Sequence, residues 1–275
     1  MGWLWIVNLR NRFEGHLGID RAQTPCFNWL AFNMRRLVQS FILVLALTSG
    51  CAQLKPARNS APGPAVTRQQ VLETAAAYAN HHWHGSAANI YHGLDKTNVW
   101  IDTPDEEFWG PGGWYSDGRT NIGVPYCWGG ASTLAEFDRG LLQGRPAGYQ
   151  FKGPRKSHGD SALPVGVDCS GFVSCCWGLY ARRSTYDIGE ICEQLPGYDD
   201  LRPGDAVNKP YAHVILFVGW VDGTHQKMRV FESGHAKRGD DPNIYTRVHE
   251  GTYDRDWLMQ HGFVALRYKD IVESQ

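Results

Sequence analysis

His213 is followed by Val214-Ile215-Leu216-Phe217-Val218-Gly219-Trp220, a run without a polar side chain. It has strand length, is rich in β-branched and aromatic residues, and shows no alternation that would mark a wet face. Such a strand is buried on both sides, so the chain must supply a layer for each face of a sheet. Leu201-Arg202-Pro203-Gly204-Asp205-Ala206-Val207 reads as a turn entering another strand. Asp222-Gly223 is a turn signal, and strands are expected at Met228–Ser233 and Phe263–Tyr268. Helices and loops precede this run of strands, which is the order of an α+β fold.

A helix to cover the sheet begins in Val167-Asp168-Cys169-Ser170-Gly171-Phe172-Val173. Phe172, Val173, Cys176, Trp177 and Tyr180 lie at i+3, i+4, i+7, i+8 and i+11 from Cys169, on one helical face. Cys169 thus falls in the first turn of a buried helix. A thiol there feels the positive end of the helix dipole and free backbone N–H groups, and both favour thiolate. A cysteine nucleophile needs a base. Any one of this chain's 11 histidines would ordinarily be a surface or core-edge residue. His213 is different in position: it stands at the mouth of the buried strand, 44 residues after Cys169. Cysteine at a helix start followed by histidine at a strand start is the logic of cysteine–histidine hydrolases.

The first part of the chain reads as an export signal. Met34-Arg35-Arg36 is a charged start, Leu37 to Leu47 an apolar stretch, and Thr48-Ser49-Gly50-Cys51 resembles a lipoprotein processing site with Cys51 as the lipid-bearing residue. The stretch is short against the ~20 residues of a spanning helix. An uncleaved anchor and a plain secretion signal are the other readings. Residues 1–33 precede this pattern, and taking Met34 as the start removes the mismatch. Residues 51–66, rich in Ala, Pro, Ser and Gly, read as a flexible tether. The expected location is the cell envelope, lipid-anchored to a membrane through Cys51 (periplasm or outer membrane in a Gram-negative cell). The whole chain has formal charge −1. Without residues 1–50, 22 basic face 26 acidic side chains, which speaks against a nucleic-acid partner.

Of seven cysteines, Cys127, Cys175, Cys176 and Cys192 remain after Cys26, Cys51 and Cys169 are set aside. Cys176 shares the buried face and reads as a core residue. Cys175 points elsewhere, and a bridge to Cys192 stays open. Thr67-Arg68-Gln69-Gln70 is a capping box, so a helix is expected from Val71 to about His82, with Val71, Ala75, Tyr78 and His82 on one face. Trp83 to Trp128 is aromatic and loop-rich; its rings either cover the core or line a groove. His81, His82 and His84 cluster, but lack partners at metal-ligand spacing, and no cofactor or metal is expected. Asp102, Asp105, Glu106 and Glu107 read as an exposed acidic loop.

Four segments then resemble the NlpC family of papain-like cell-wall peptidases. They are Pro125-Tyr126-Cys127-Trp128-Gly129-Gly130, Asp168-Cys169-Ser170-Gly171-Phe172-Val173, Leu201-Arg202-Pro203-Gly204-Asp205-Ala206 and Ala212-His213-Val214-Ile215-Leu216-Phe217-Val218-Gly219. They occur in the family's order, over about Tyr126 to Tyr268. The resemblance implies a papain-like α+β domain over residues 125–275. Its nucleophile helix would pack on an antiparallel sheet, and residues 67–124 would be an N-terminal helical and loop elaboration or a small subdomain.

By the resemblance, Cys169 is the nucleophile, His213 the base, and the Cys169 backbone N–H part of an oxyanion hole. Tyr126 would sit by the thiolate, and Trp128, Asp168 and Ser170 would contact substrate, although Asp168 and Ser170 are also ordinary helix caps. The third catalytic position falls on the strand after the histidine strand. There Met228, Val230 and Glu232 share a face, and a carboxylate can hold an imidazole; His235 is the rival. Residues 131–167 form an insertion, helical near Ser132 to Leu142. Its basic residues Arg139, Arg145, Lys152, Arg155 and Lys156 either meet substrate carboxylates or are solvated. The implied activity is hydrolysis of peptidoglycan stem peptides by a monomer, between D-glutamate and diaminopimelate. An amidase at the sugar–peptide junction, a non-catalytic cell-wall peptide binder and an acyltransferase are the rivals.

Overall fold

The computed structural model describes residues 63–110, 112–150, 159–234 and 246–273. The expected leader, signal, Cys51 and residues 51–62 of the tether lie outside the described residues, as do Lys152, Arg155, Lys156 and His235. The described residues form a mixed α/β structure with antiparallel sheets and few helices. None of their helices is long and apolar enough to cross a membrane.

In chain order the elements are β1 (Val66–Thr67), α1 (Arg68–Ala79), β2 (His82–His84), β3 (His92–Leu94), β4 (Trp100–Asp102), α2 (Glu106–Trp109), β5 (Thr120–Ile122), α3 (Leu134–Leu142) and α4 (Cys169–Cys176). Then follow β6 (Cys192–Gln194), β7 (Ala206–Lys209), β8 (His213–Trp220), β9 (Lys227–Ser233), β10 (Val248–Asp254), α5 (Arg255–Gln260), β11 (Val264–Tyr268) and β12 (Ile271–Val272). Strands β10-β9-β8-β7-β11-β6 make one antiparallel sheet in that order. Pairs β2–β5 and β3–β4 are small hairpin-like sheets, and β1 pairs in parallel with β12.

The apolar run from Val214 explains the layering. Val214 and Leu216 turn to one cluster with Phe172, Val173, Cys176 and Trp177 of the α4 region. Ile215 and Phe217 turn to a second cluster with Met228, Val230 and Leu258 of α5. Both faces of β8 are therefore dry, as its composition requires. Residues 67–124 are not a separate subdomain. Val71, Ala75 and Tyr78 of α1, with Trp83, Trp114 and Val124, belong to the α4 cluster. Tyr78 meets Phe172 edge-on at 5.9 Å, and Trp83 meets Phe137 of α3 at 5.3 Å. Trp83 and Trp114 therefore cover the core, their indole N–H groups donating to the carbonyls of Gly123 and Ala147.

Four expectations are corrected. Helix α1 starts on the Thr67 cap but ends at Ala79, and His82 lies exposed in β2, because pairing with β5 captures the chain there. Helix α4 ends at Cys176, with Gly178 at φ +64° just beyond, so Tyr180 leaves the buried face and is exposed. Asp102 and Asp105 are buried rather than exposed. The β3–β4 register brings His92 opposite Asp102, and its ring nitrogens lie 3.4 Å from Asp102 Oδ1 and 2.9 Å from Asp105 Oδ2. Cys175 and Cys192 are both free thiols; Cys175 Sγ points to the Ala131 carbonyl at 3.6 Å, while Cys192 is buried in β6. Burial pushes the thiols of Cys127, Cys175, Cys176 and Cys192 up, that of Cys192 to about 12.

Candidate active site

Asp168 is the N-cap of α4 and Cys169 its first residue. The Asp168 carboxylate accepts from Gly171 N–H at 2.6 Å, from the Ser170 hydroxyl at 3.1 Å and from Gly129 N–H at 3.1 Å. The Arg182 guanidinium donates to both its oxygens. Gly171 lets the loop approach: a Cβ there would stand 1.9 Å from the Gly130 carbonyl oxygen. That carbonyl also accepts from Asp168 N–H at 3.0 Å. The start of α4 is thus held by the loop containing Tyr126, Gly129 and Gly130.

The same loop delivers Tyr126. It bridges in parallel to Val167, and Cys127 N–H donates to the Val167 carbonyl at 3.0 Å. Tyr126 is buried beside the helix start. Burial first, and then the charges of Cys169 and Asp168, push its phenol well above the ordinary range. It stays a neutral O–H group.

His213 opens β8, and Glu232 lies on β9 with its side chain 1% exposed. His213 Nε2 lies 2.7 Å from Glu232 Oε2, and Cys169 is the other group that acts on the ring. Burial alone would lower the basicity of His213. The hydrogen bonds and charges of Cys169 and Glu232 outweigh it and raise the ring to about 10. Burial alone would likewise raise Glu232. The hydrogen bonds and charges of His213 and His249 hold it well below the carboxylate range. The Tyr253 hydroxyl donates to Glu232 Oε2 at 2.8 Å, and His249 Nε2 lies 3.5 Å from Oε1. His249 is fixed from its other side by Nδ1, 3.0 Å from the Arg247 carbonyl.

The structure therefore brings together Cys169, His213, Glu232, Tyr126 and Asp168. Chemically, it holds a thiol at a helix start against an imidazole whose far nitrogen is fixed by a carboxylate. Ser170 is 2% exposed with its hydroxyl on Asp168, and both Asp168 oxygens are engaged within the protein. These two residues build the helix cap. Trp128 is 41% exposed, its N–H on the Tyr149 carbonyl. The three clustered histidines do not converge: His81 turns to Asp138 at 2.7 Å and His84 to the Gly118 carbonyl at 3.0 Å.

The insertion returns to the site. Arg145 donates to the carbonyls of Ala162, Leu163 and Pro164, so the protein's own backbone engages its guanidinium. Asp160 then lies against Gly129, where a Cβ would come 2.4 Å from its carboxylate oxygen. Arg182, His249 and Tyr253 were not visible as site residues from sequence. The alternation His249-Gly251-Tyr253, opposite Glu232-Val230-Met228 in the β9–β10 register, is the signal that contains the last two. Comparison with protein-family models, with curated proteins and with solved structures finds no match to this chain.

Proposed function

We propose that this chain is a papain-like cysteine hydrolase of the NlpC type that cleaves amide bonds in peptidoglycan stem peptides. The observation that carries the reading is the His213–Glu232 pair, 2.7 Å between imidazole and carboxylate, with Cys169 at the helix start acting on the same ring. The order of its parts supports the same reading: nucleophile on a helix start, histidine on the next long strand, carboxylate on the strand after.

In the proposed reaction His213 takes the Cys169 thiol proton, and the thiolate attacks the scissile carbonyl carbon. The oxyanion is met by the Cys169 backbone N–H at the helix start, where four N–H groups lack intrahelical partners. The imidazolium, held by Glu232, gives its proton to the leaving amine as the C–N bond breaks. An acyl-enzyme remains. His213 then takes a proton from water, the resulting hydroxide attacks the thioester, and Cys169 leaves as thiolate. The bond between D-glutamate and diaminopimelate is the preferred substrate bond, and the sugar–peptide amide the second. The expected lipid anchor at Cys51 would keep the domain at the cell envelope.

The test is to incubate the protein and Cys169→Ala with purified peptidoglycan and to weigh the released fragments by mass spectrometry. Fragments are expected from the parent alone, with masses that report cleavage after D-glutamate. Equal release by both proteins would overturn the enzyme reading.

A further inference from the structure

The turn leading into β8 carries a side chain that its backbone disfavours. Ala212 N–H donates to the Lys209 carbonyl at 3.1 Å, which closes a turn with Pro210 second and Tyr211 third. Tyr211 has φ +61°. A proline-led turn with positive φ at its third residue is type II, and glycine or asparagine fits that place. A bulky aromatic residue there is strained. The strain lies two residues before His213, and the ring gives nothing to the core, being 79% exposed. Its neighbour is Tyr186, 63% exposed, with ring centroids 4.8 Å apart and planes inclined by 32°.

The loop that carries Tyr186 is fixed along the site. Arg182 holds Asp168, next to Cys169. Arg183 N–H donates to Ser174 Oγ of α4 at 3.0 Å, and Asn208 Nδ2 of β7 donates to the Thr185 carbonyl at 3.1 Å. Residues 182–186 thus run from the cap of the nucleophile helix to the turn before the histidine. The two tyrosines stand where that path ends. They offer uncharged π faces edged by hydroxyl groups. A pyranose ring matches this pattern, its C–H bonds over an aromatic face and its hydroxyl groups at the phenol oxygens. The carboxylates of a stem peptide do not.

We propose that Tyr186 and Tyr211 form a saccharide subsite, which holds a sugar ring of the glycan strand beside the cleft of Cys169. For the source of that sugar it rests on the reading of the chain as a peptidoglycan hydrolase. Strain at Tyr211 is then the consequence of selecting a recognition face where the turn itself selects glycine.

The test uses the full-length chain carrying Cys169→Ala, titrated calorimetrically with a peptide-free N-acetylglucosamine tetramer and, separately, with a sugar-free stem tetrapeptide. The sugar is expected to bind. Adding Tyr211→Gly or Tyr186→Ala should weaken it about tenfold or more, as loss of an aromatic contact does, and leave peptide binding within about twofold. Tyr211→Gly should keep the parent's melting temperature, since glycine relaxes the turn. The proposal is overturned by no sugar binding in the parent, by sugar binding unchanged in both variants, by loss of peptide binding instead, or by loss of sugar binding only together with the fold. Cleavage is scored apart from binding. Sugar binding without fragment release overturns the hydrolase reading and leaves the subsite standing; fragment release without sugar binding does the reverse.

Discussion

Glu232 shares one oxygen between His213 and Tyr253, and faces His249 with the other. The pair it makes with His213 has a defined pH window. Glu232 is held below its ordinary 4.5, so its contribution to stability is present above that pH and fades as the solution is acidified. His213 is raised from 6.5 to about 10, so its contribution is full below 6.5 and is lost as pH rises toward 10. Together they favour the folded state most between about 4.5 and 6.5. Glu232→Gln keeps the volume and removes the charge. It should lower kcat roughly 10³-fold, as loss of a buried carboxylate behind a catalytic histidine does. It should also move the alkaline limb of the pH–rate profile to lower pH and flatten the pH dependence of chemical denaturation. An unchanged alkaline limb would assign the holding role elsewhere. At this scale the placements read from sequence, Cys169 at a helix start, His213 at a strand start and Glu232 on the next strand facing it, are the ones the structure shows, because helix start, strand start and strand alternation are all local signals. Arg182, His249 and Tyr253 were hidden because each meets its partner 14 to 21 residues away in sequence, through a register that no local pattern states.

Helix α4 shows how an element positions a reactive atom. Its buried face was legible from the spacing of Phe172, Val173, Cys176 and Trp177. Its end was legible in principle from Gly178, whose φ of +64° suits a residue just past a helix. Extending the face to Tyr180 ignored that stop. What spacing could not show is the approach of Gly171 to Gly130, since that depends on a loop forty residues earlier. Gly171→Ala places a methyl group against the Gly130 carbonyl and forces the helix away from the Tyr126 loop. A loss of about 3 kcal/mol is expected, at the upper end of overpacking costs. Denaturant melts measure it. Alkylation of Cys169 should also slow, because the shift separates the thiol from His213. Full stability with full alkylation would show that the loop yields.

Across the described residues, the first helix and the strand β11 are joined through Asp205. This residue looked like part of a turn motif; it is fully buried and holds the fold together. Its carboxylate accepts from Arg68 Nη1 of α1 at 3.0 Å, from Arg267 Nη2 of β11 at 2.7 Å and from Arg202 N–H at 2.9 Å. Asp205→Asn keeps the shape but removes the buried charge that Arg267 pairs with and leaves Arg68 with Glu273 alone, and should cost about 3 kcal/mol, as breaking a buried pair does. Urea denaturation would register it, and a loss under about 1 kcal/mol would place the pair in the class of screened surface bridges instead. The motif's order was readable, but its purpose was not, because Arg68 lies 137 residues before Asp205.

The parallel pairing of β1 with β12 has a mechanical side. Val66 N–H donates to the Asp270 carbonyl at 3.1 Å, and Val66 and Thr67 lie in register with Ile271 and Val272. A pull on the chain ahead of Val66 runs along these strands, so it loads their hydrogen bonds in shear, together rather than one after another. The adjoining link from Arg68 to Asp205 passes the remaining load to β7 and β11 in the middle of the sheet. A domain held at that end would take tension first through this latch, and the load that passes it would reach the strand of His213 through the pairing of β7 with β8.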